Sequence, residues 1–255
     1  MPSSNLTALC LRRRETGERD LVVTFLTREQ GKLALHARGV RQASARNAAV
    51  CQPFALAVIQ AATRGDQRGM STLAQAQIEE TFPGLREDAE RAAWAAFAVE
   101  LTDLALPDGE PQPEVFDLLR ATLAGMDTAA DGAAPACSFA LRLLAILGWE
   151  PVLDACAACG GALGESEACF DPAAGGLVHA AEADRRLAVP VTPAVVKALR
   201  RLLAPEAYGL DPAALTMSAE LEAGVRAAVL AHVRCHLDAA PKSLAVLDQL
   251  RRRPA

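Results

Sequence analysis

The 255-residue chain is 51% apolar but only 4% aromatic and carries a net charge of −5, so it can bury a core without staples, and its abundant alanine favours helices. Glu100, Asp103 and Arg142 break the longest apolar stretches short of the ~18 residues a membrane span needs, and "MPSSNLTALCLRRR" places its charges after a short apolar run, the reverse of a secretory leader; a soluble protein is expected. An odd seven cysteines point to thiols in a reducing cytoplasm rather than a disulfide framework.

The charge is unevenly placed. Residues 1–70 hold 11 Lys and Arg against 5 Asp and Glu, a surplus of +6, which leaves −11 for residues 71–255. A local field of this kind attracts a polyanion whatever the total. In the basic end, "LTALCLRRR", "RDLVVTFLT" and "GKLALHARGVR" read as strands, separated by the turn-forming "ETGE" and "REQG". "QPFALAVIQAATR" and "MSTLAQAQIEE" add two more, and five short strands in about 80 residues predict a small barrel.

After Phe82-Pro83 the period becomes helical. "LREDAERAAWAAFAVELTDLAL" sets Ala89, Ala93, Ala96, Phe97, Leu101 and Leu104 three or four apart, and "PDGEPQP" ends the pattern. Further helices are expected at 113–126, 135–148, 192–204 and 218–238. The fold class is therefore α+β: an N-terminal barrel over 1–82, then a helical domain over 83–255 carrying an insert at about 153–187.

That insert holds "CAACGG", the spacing of half a zinc knuckle. A closed site wants four ligands, usually as two Cys-x-x-Cys pairs, and no second pair follows. Cys156 and Cys159 are the first two candidates, His179 in "GGLVHAAEADRR" is the third, and Cys169 or Glu182 is the fourth; the alternative is a metal-free loop held by packing.

For DNA, Arg12, Arg13 and Arg14 end the first strand, Lys32 lies in the third, and Arg38, Arg41 and Arg46 sit at its end and in the loop beyond. Such groups can track phosphates without reading bases. Aromatic stacking is poorly supplied, because Phe25 and Phe54 are the only aromatics in the first 80 residues and both have apolar neighbours, so a charge-dominated contact is expected.

Catalysis finds little support. No nucleophile elbow or phosphate-cradling loop occurs, and His232 and His236, one helical turn apart, lack the glutamate of a metalloprotease helix and read as structural. Two rival classes stay open: a zinc-dependent hydrolase using Cys156, Cys159 and His179 with Glu182 as base, and a protein-binding scaffold.

Three stretches in order, "TGERDLVVTFLTREQGKLALHARGVRQASARNAAVCQPF", "RLLAILGWEPVLDACAACG" and "HLDAAPKSLAVLDQL", resemble the RecO family of bacterial recombination mediators. The resemblance implies an OB-fold, binding of single- and double-stranded DNA, strand annealing, partnership with RecR and single-stranded DNA-binding protein, and help in loading RecA. Members with a complete knuckle carry four cysteines around a "GG" turn; here the "GG" is kept at Gly175 and Gly176 while His179 and Glu182 stand where the later cysteines would be. The resemblance also suggests that the helical domain receives the acidic tail of single-stranded DNA-binding protein, with Lys197, Arg200 and Arg201 in "VVKALRRLLA" as its cations.

Overall fold

The computed structural model describes residues 5–42, 47–62, 70–164, 168–237 and 241–252. They form two compact units, Met1–Asp127 and Thr128–Ala255. The first contains strands β1 (Asn5–Thr16), β2 (Asp20–Thr27), β3 (Gly31–Ala37), β4 (Ala55–Ala62) and β5 (Thr72–Thr81), closed into a barrel in the order β1-β2-β3-β5-β4. β4 pairs back onto β1, and β3 meets β5 in parallel at His36 and Thr72, which gives the OB-type Greek-key barrel. Alternation fills its core: Leu6, Ala8 and Cys10 of β1 meet Leu21, Val23 and Phe25 of β2, with Ala57, Ile59 and Leu73 closing the other side. Phe25 and Phe54 are both buried, as their apolar neighbours predicted.

A bulge between Cys10 and Arg12 shifts the register of β1. It sets Arg12 and Arg14 opposite Thr24 and Val22, which face away from the barrel core, and Arg13 opposite the inward Val23. Without that extra residue the phase would reverse and the outer arginines would point inward.

Helices α1 (Gly84–Glu87), α2 (Ala89–Ala105) and α3 (Pro113–Thr128) complete this unit. The single helical pattern seen in the sequence is split at Asp88, which is extended and whose Oδ1 accepts from the Arg91 N–H at 2.7 Å. An N-cap at that point ends one helix by starting the next.

The second unit holds α4 (Ala133–Ile146), the strands β6 (Ala168–Asp171), β7 (Gly176–His179) and β8 (Val189–Val191), then α5 (Pro193–Leu203), α6 (Ala219–His236) and α7 (Ser243–Arg252). α4 is apolar nearly all round, and is accordingly buried between α5 and α6; the Ser138 hydroxyl, unable to reach water, donates to the Leu202 carbonyl at 2.7 Å. His232 is structural, as expected: its Nε2 lies 2.8 Å from the Trp149 carbonyl, and burial pushes its pKa down to about 4. His236 stacks on Trp149 at 5.1 Å. α7 and the three-stranded sheet were not anticipated, the strands because segments of three or four residues are too short to show a period.

Candidate nucleic-acid interface and metal centre

The hairpin turn after β1 and the turn after β3 are knitted together at one edge of the barrel. The Arg41 N–H donates to the Arg19 carbonyl at 3.1 Å, and the Gly39 N–H to Asp20 Oδ1 at 2.8 Å. This gathers Arg14, Arg19, Arg38 and Arg41, all exposed. Arg14 and Arg19 have no side-chain partner among the described residues. Among the described residues Arg38 donates only to His36 Nδ1, at 3.4 Å, while Arg41 meets Glu15 at 3.0 Å. Arg13 spends a donor on the neutral Gln52 at 2.8 Å and so keeps its charge. Arg19 escaped the sequence reading; its signal was a cation inside a hairpin turn, "TGERD", whose proximity to Arg41 only pairing reveals.

Other barrel cations are neutralised. Arg12 pairs with Asp103 at 3.1 Å, and Arg28 forms a fork on Asp117 at 3.0 and 2.9 Å. Lys32, expected at the DNA surface, is instead buried: its Nζ donates to the Asp103 carbonyl at 2.7 Å and pairs with the Asp103 carboxylate at 3.3 Å. Its ammonium ties β3 to α2 and is not presented to a ligand. Arg46 lies outside the described residues.

In the second unit the expected knuckle residues converge. One donor atom from each of Cys156, Cys159, His179 and Glu182 lies within 4.8 Å of every other. The chain reaches this arrangement through two tight approaches. Gly160 takes a positive φ of 72° so that its N–H returns to the Cys156 carbonyl at 2.8 Å. Gly176, at φ 155°, lies against Val152, where a Cβ would stand 2.2 Å from the Val152 oxygen. Only glycine fits there, which is the physical reason for the "GG". Asp171 locks the same β6–β7 turn by accepting from the N–H groups of Ala173, Ala174 and Asp184.

Glu182 Oε2 lies 2.9 Å from Cys156 Sγ and 3.0 Å from His179 Nδ1, and Cys159 Sγ lies 3.6 Å from that same nitrogen. A tetrahedral zinc with sulfur, nitrogen and oxygen ligands has donor–donor edges of about 3.4–3.8 Å. The close pairs must therefore open slightly, while the widest separation, up to 4.8 Å, must close by about 1 Å. His179 Nε2 lies 3.1 Å from the Ala162 carbonyl, and a proton held there leaves the Nδ1 lone pair for a metal. Of the two alternatives for the fourth ligand, Glu182 is in the cluster. Cys169 is held in β6 opposite Val178 and is not. Glu182 is thus one of the converging donors rather than a base set apart from them.

The charges suit a cation. Hydrogen bonds from Cys156, His179 and Cys159 hold the Glu182 carboxyl below the usual range, and the Glu182 contact followed by the Ala162 carbonyl raises His179. Burial and Glu182 oppose ionisation of Cys156, yet the backbone N–H groups of Cys159, His179 and Ala158 bring it below its ordinary value. Two thiols, an imidazole and a carboxylate at these separations can hold a divalent metal ion.

On α5, Lys197 and Arg201 line a groove of about 410 Å³ with Leu163, Val191, Val196 and Tyr208. Arg200 borders it too, but its guanidinium donates twice to the Leu153 carbonyl, at 2.9 and 2.6 Å, and pairs with Asp154 at 3.0 Å. It anchors the segment leading into the knuckle.

Among the described residues no helix is long and apolar enough to cross a membrane. The family profile described as Recombination protein O N terminal matches residues 1–82, and the one described as Recombination protein O C terminal matches 86–245. A protein named DNA repair protein RecO from Anaeromyxobacter sp. (strain Fw109-5) is 35% identical over 250 residues, covering 96% of this chain and 95% of its own. One of the same name from Myxococcus xanthus (strain DK1622) is 37% identical over 247 residues, covering 95% and 96%. Barrel, helical unit and knuckle thus occur in a chain matched along almost its whole length, and this chain belongs to the RecO family.

Proposed function

We propose that this protein is a non-catalytic mediator of DNA repair and recombination that binds single- and double-stranded DNA through the basic edge of its barrel, anneals strands, and helps load RecA on strands coated with single-stranded DNA-binding protein, together with RecR. The observation that carries the reading is the gathering of Arg14, Arg19, Arg38 and Arg41 on two knitted turns while Arg12, Arg28 and Lys32 are neutralised by acids. Arg41 shares its charge with Glu15, but Arg14, Arg19 and Arg38 have no acid partner among the described residues, and their charges at one edge make a local site for phosphates in a chain of net charge −5. Arg13, which keeps its charge, adds to the same field.

Replacing Arg14, Arg19, Arg38 and Arg41 by alanine should weaken DNA binding and flatten its dependence on log salt, by about 0.7–0.9 of slope for each phosphate no longer neutralised. An unchanged slope in a folded variant refutes the assignment.

The knuckle on this reading holds one structural zinc. The groove on α5 receives the acidic tail of single-stranded DNA-binding protein, with Lys197 and Arg201 as its cations and the apolar wall as the seat of its hydrophobic end. Arg200, bound to Leu153 and Asp154, supports that wall. A labelled tail peptide should bind the wild type and lose affinity for the Lys197→Ala, Arg201→Ala variant; equal binding places the tail elsewhere.

A further inference from the structure

The barrel carries a second concavity, on the outer face of β1, β4 and β5. It is a groove of about 620 Å³, within the ~300–1,000 Å³ range of small-molecule sites. Asn5, Gln60 and Gln75 form one row across the three strands, since Asn5 pairs with Gln60 and Gln60 with Gln75. Gln77, opposite Val58, begins the next row, and Asn47 closes one side. No lining residue is charged, and five are primary amides.

Asn47, at one side of the groove, has a buried Oδ1 without a hydrogen-bond partner among the described residues, and such an atom costs free energy unless a donor reaches it.

Strand pairing also brings the groove near the basic edge. Arg38 rests on His36, the His36 N–H donates to the Ser71 carbonyl at 2.9 Å, and His36 lies beside Thr72. Gln75 follows three residues along β5, about 10 Å on. A ligand with phosphates on the arginine turns can therefore extend its uncharged part over the amides.

We propose that this amide-lined groove holds the unpaired bases of single-stranded DNA, taking the place of the aromatic platform that an OB barrel ordinarily offers. Asparagine and glutamine present a donor and an acceptor side by side, and so meet base edges in pairs, as they do with adenine. In a single strand the Watson–Crick edges, engaged with the partner base in a duplex, are open to the same amides as well, which suits the groove to unpaired bases. Both barrel phenylalanines are buried, at 0% and 8% exposure, and cannot stack on a ligand. The inference rests on the proposed DNA binding and adds a partner for the base where the basic edge supplies one for the phosphate.

The test compares a labelled mixed-sequence single strand with an abasic strand of equal length, by fluorescence anisotropy on the full chain. Wild type should bind the base-bearing strand about fivefold tighter or more, the effect of a single good amide–base contact. Gln60→Ala, Gln75→Ala, Gln77→Ala together should erase that preference and leave abasic affinity and melting temperature unchanged. Gln77→Ala alone, at an exposed position, should reduce the preference without risk to the fold. Equal binding of the two strands by wild type overturns the inference and leaves the basic edge intact as the DNA site. A preference that survives in the variants overturns it likewise, as does a loss of abasic affinity in a variant that melts normally, because the amides would then be serving the backbone. If wild type binds neither strand, the proposed DNA binding fails and the groove assignment falls with it.

Discussion

Lys32 and Asp103 form the most consequential ion pair of the barrel unit, and its two halves should not be equally important. Their side chains are 9% and 14% exposed, so neither charge is well solvated. Asp103→Ala leaves the Lys32 ammonium with the Asp103 backbone carbonyl at 2.7 Å and with Asp108 at 3.5 Å, the latter 86% exposed and worth little through water. Removing one partner of a buried pair ordinarily costs about 3–5 kcal/mol, and the remaining carbonyl brings the expectation to about 2–3 kcal/mol. Lys32→Met keeps the aliphatic stem and strands no charge, because Asp103 retains Arg12 at 3.1 Å. The variant gives up only the donor to one carbonyl, about 1 kcal/mol. The chain has two tryptophans, Trp94 in the barrel unit and Trp149 in the other, so urea unfolding in a Trp149→Phe background reads the barrel unit through Trp94 alone. Asp103→Ala should exceed Lys32→Met by about 1–2 kcal/mol. Equal costs, or a larger one for Lys32→Met, would refute the reasoning. DNA affinity should be the same for Lys32→Met as for wild type, whereas a drop like that of Arg14→Ala would show that the ammonium reaches phosphate.

Purified protein should contain about one zinc per chain, and Cys156→Ser should release it with a lower melting temperature, since a structural site contributes folding energy directly; Glu182→Cys should tighten retention against a chelator, and wild type that purifies without zinc and melts no higher than Cys156→Ser would eliminate the site. His232 is expected to make the helical unit acid-sensitive. Its folded pKa of about 4 lies below the unfolded 6.5, so the unfolded chain binds the extra proton and stability is lost as pH falls from about 6.5 to 4, by about 3 kcal/mol in full. His232→Gln keeps a donor for the Trp149 carbonyl and cannot charge; thermal melts across that window should flatten, and an unaltered slope assigns the acid sensitivity to another group.

How far the sequence could be read depended on how local each determinant was. The barrel's inward residues alternate within single strands, so Leu6, Ala8, Cys10 and Leu21, Val23, Phe25 were legible directly. The knuckle was legible because "CAACGG" and "GG" encode turns that only glycine permits, and their spacing sets His179 opposite the first pair. Choosing between Cys169 and Glu182 needed the sheet. β6 fixes Cys169 beside Val178, while the Glu182 N–H bonded back to the His179 carbonyl at 2.9 Å turns that residue toward the cluster.

The arginines show the opposite case. Arg12, Arg13 and Arg14 are consecutive and chemically identical, and nothing in the triplet ranks them. A bulge one residue earlier decides which face each takes, Asp103 from a helix some ninety positions away takes Arg12, and Gln52 takes Arg13. Arg14 is left for a ligand because the fold supplied it no partner among the described residues. A cation's availability is thus set by where the acids land. The same kind of pairing that hid Lys32 from the surface leaves Arg14, Arg19 and Arg38, without acid partners among the described residues, as a small cluster at one edge rather than a uniformly positive barrel, and that concentration is what a flexible phosphate chain can use.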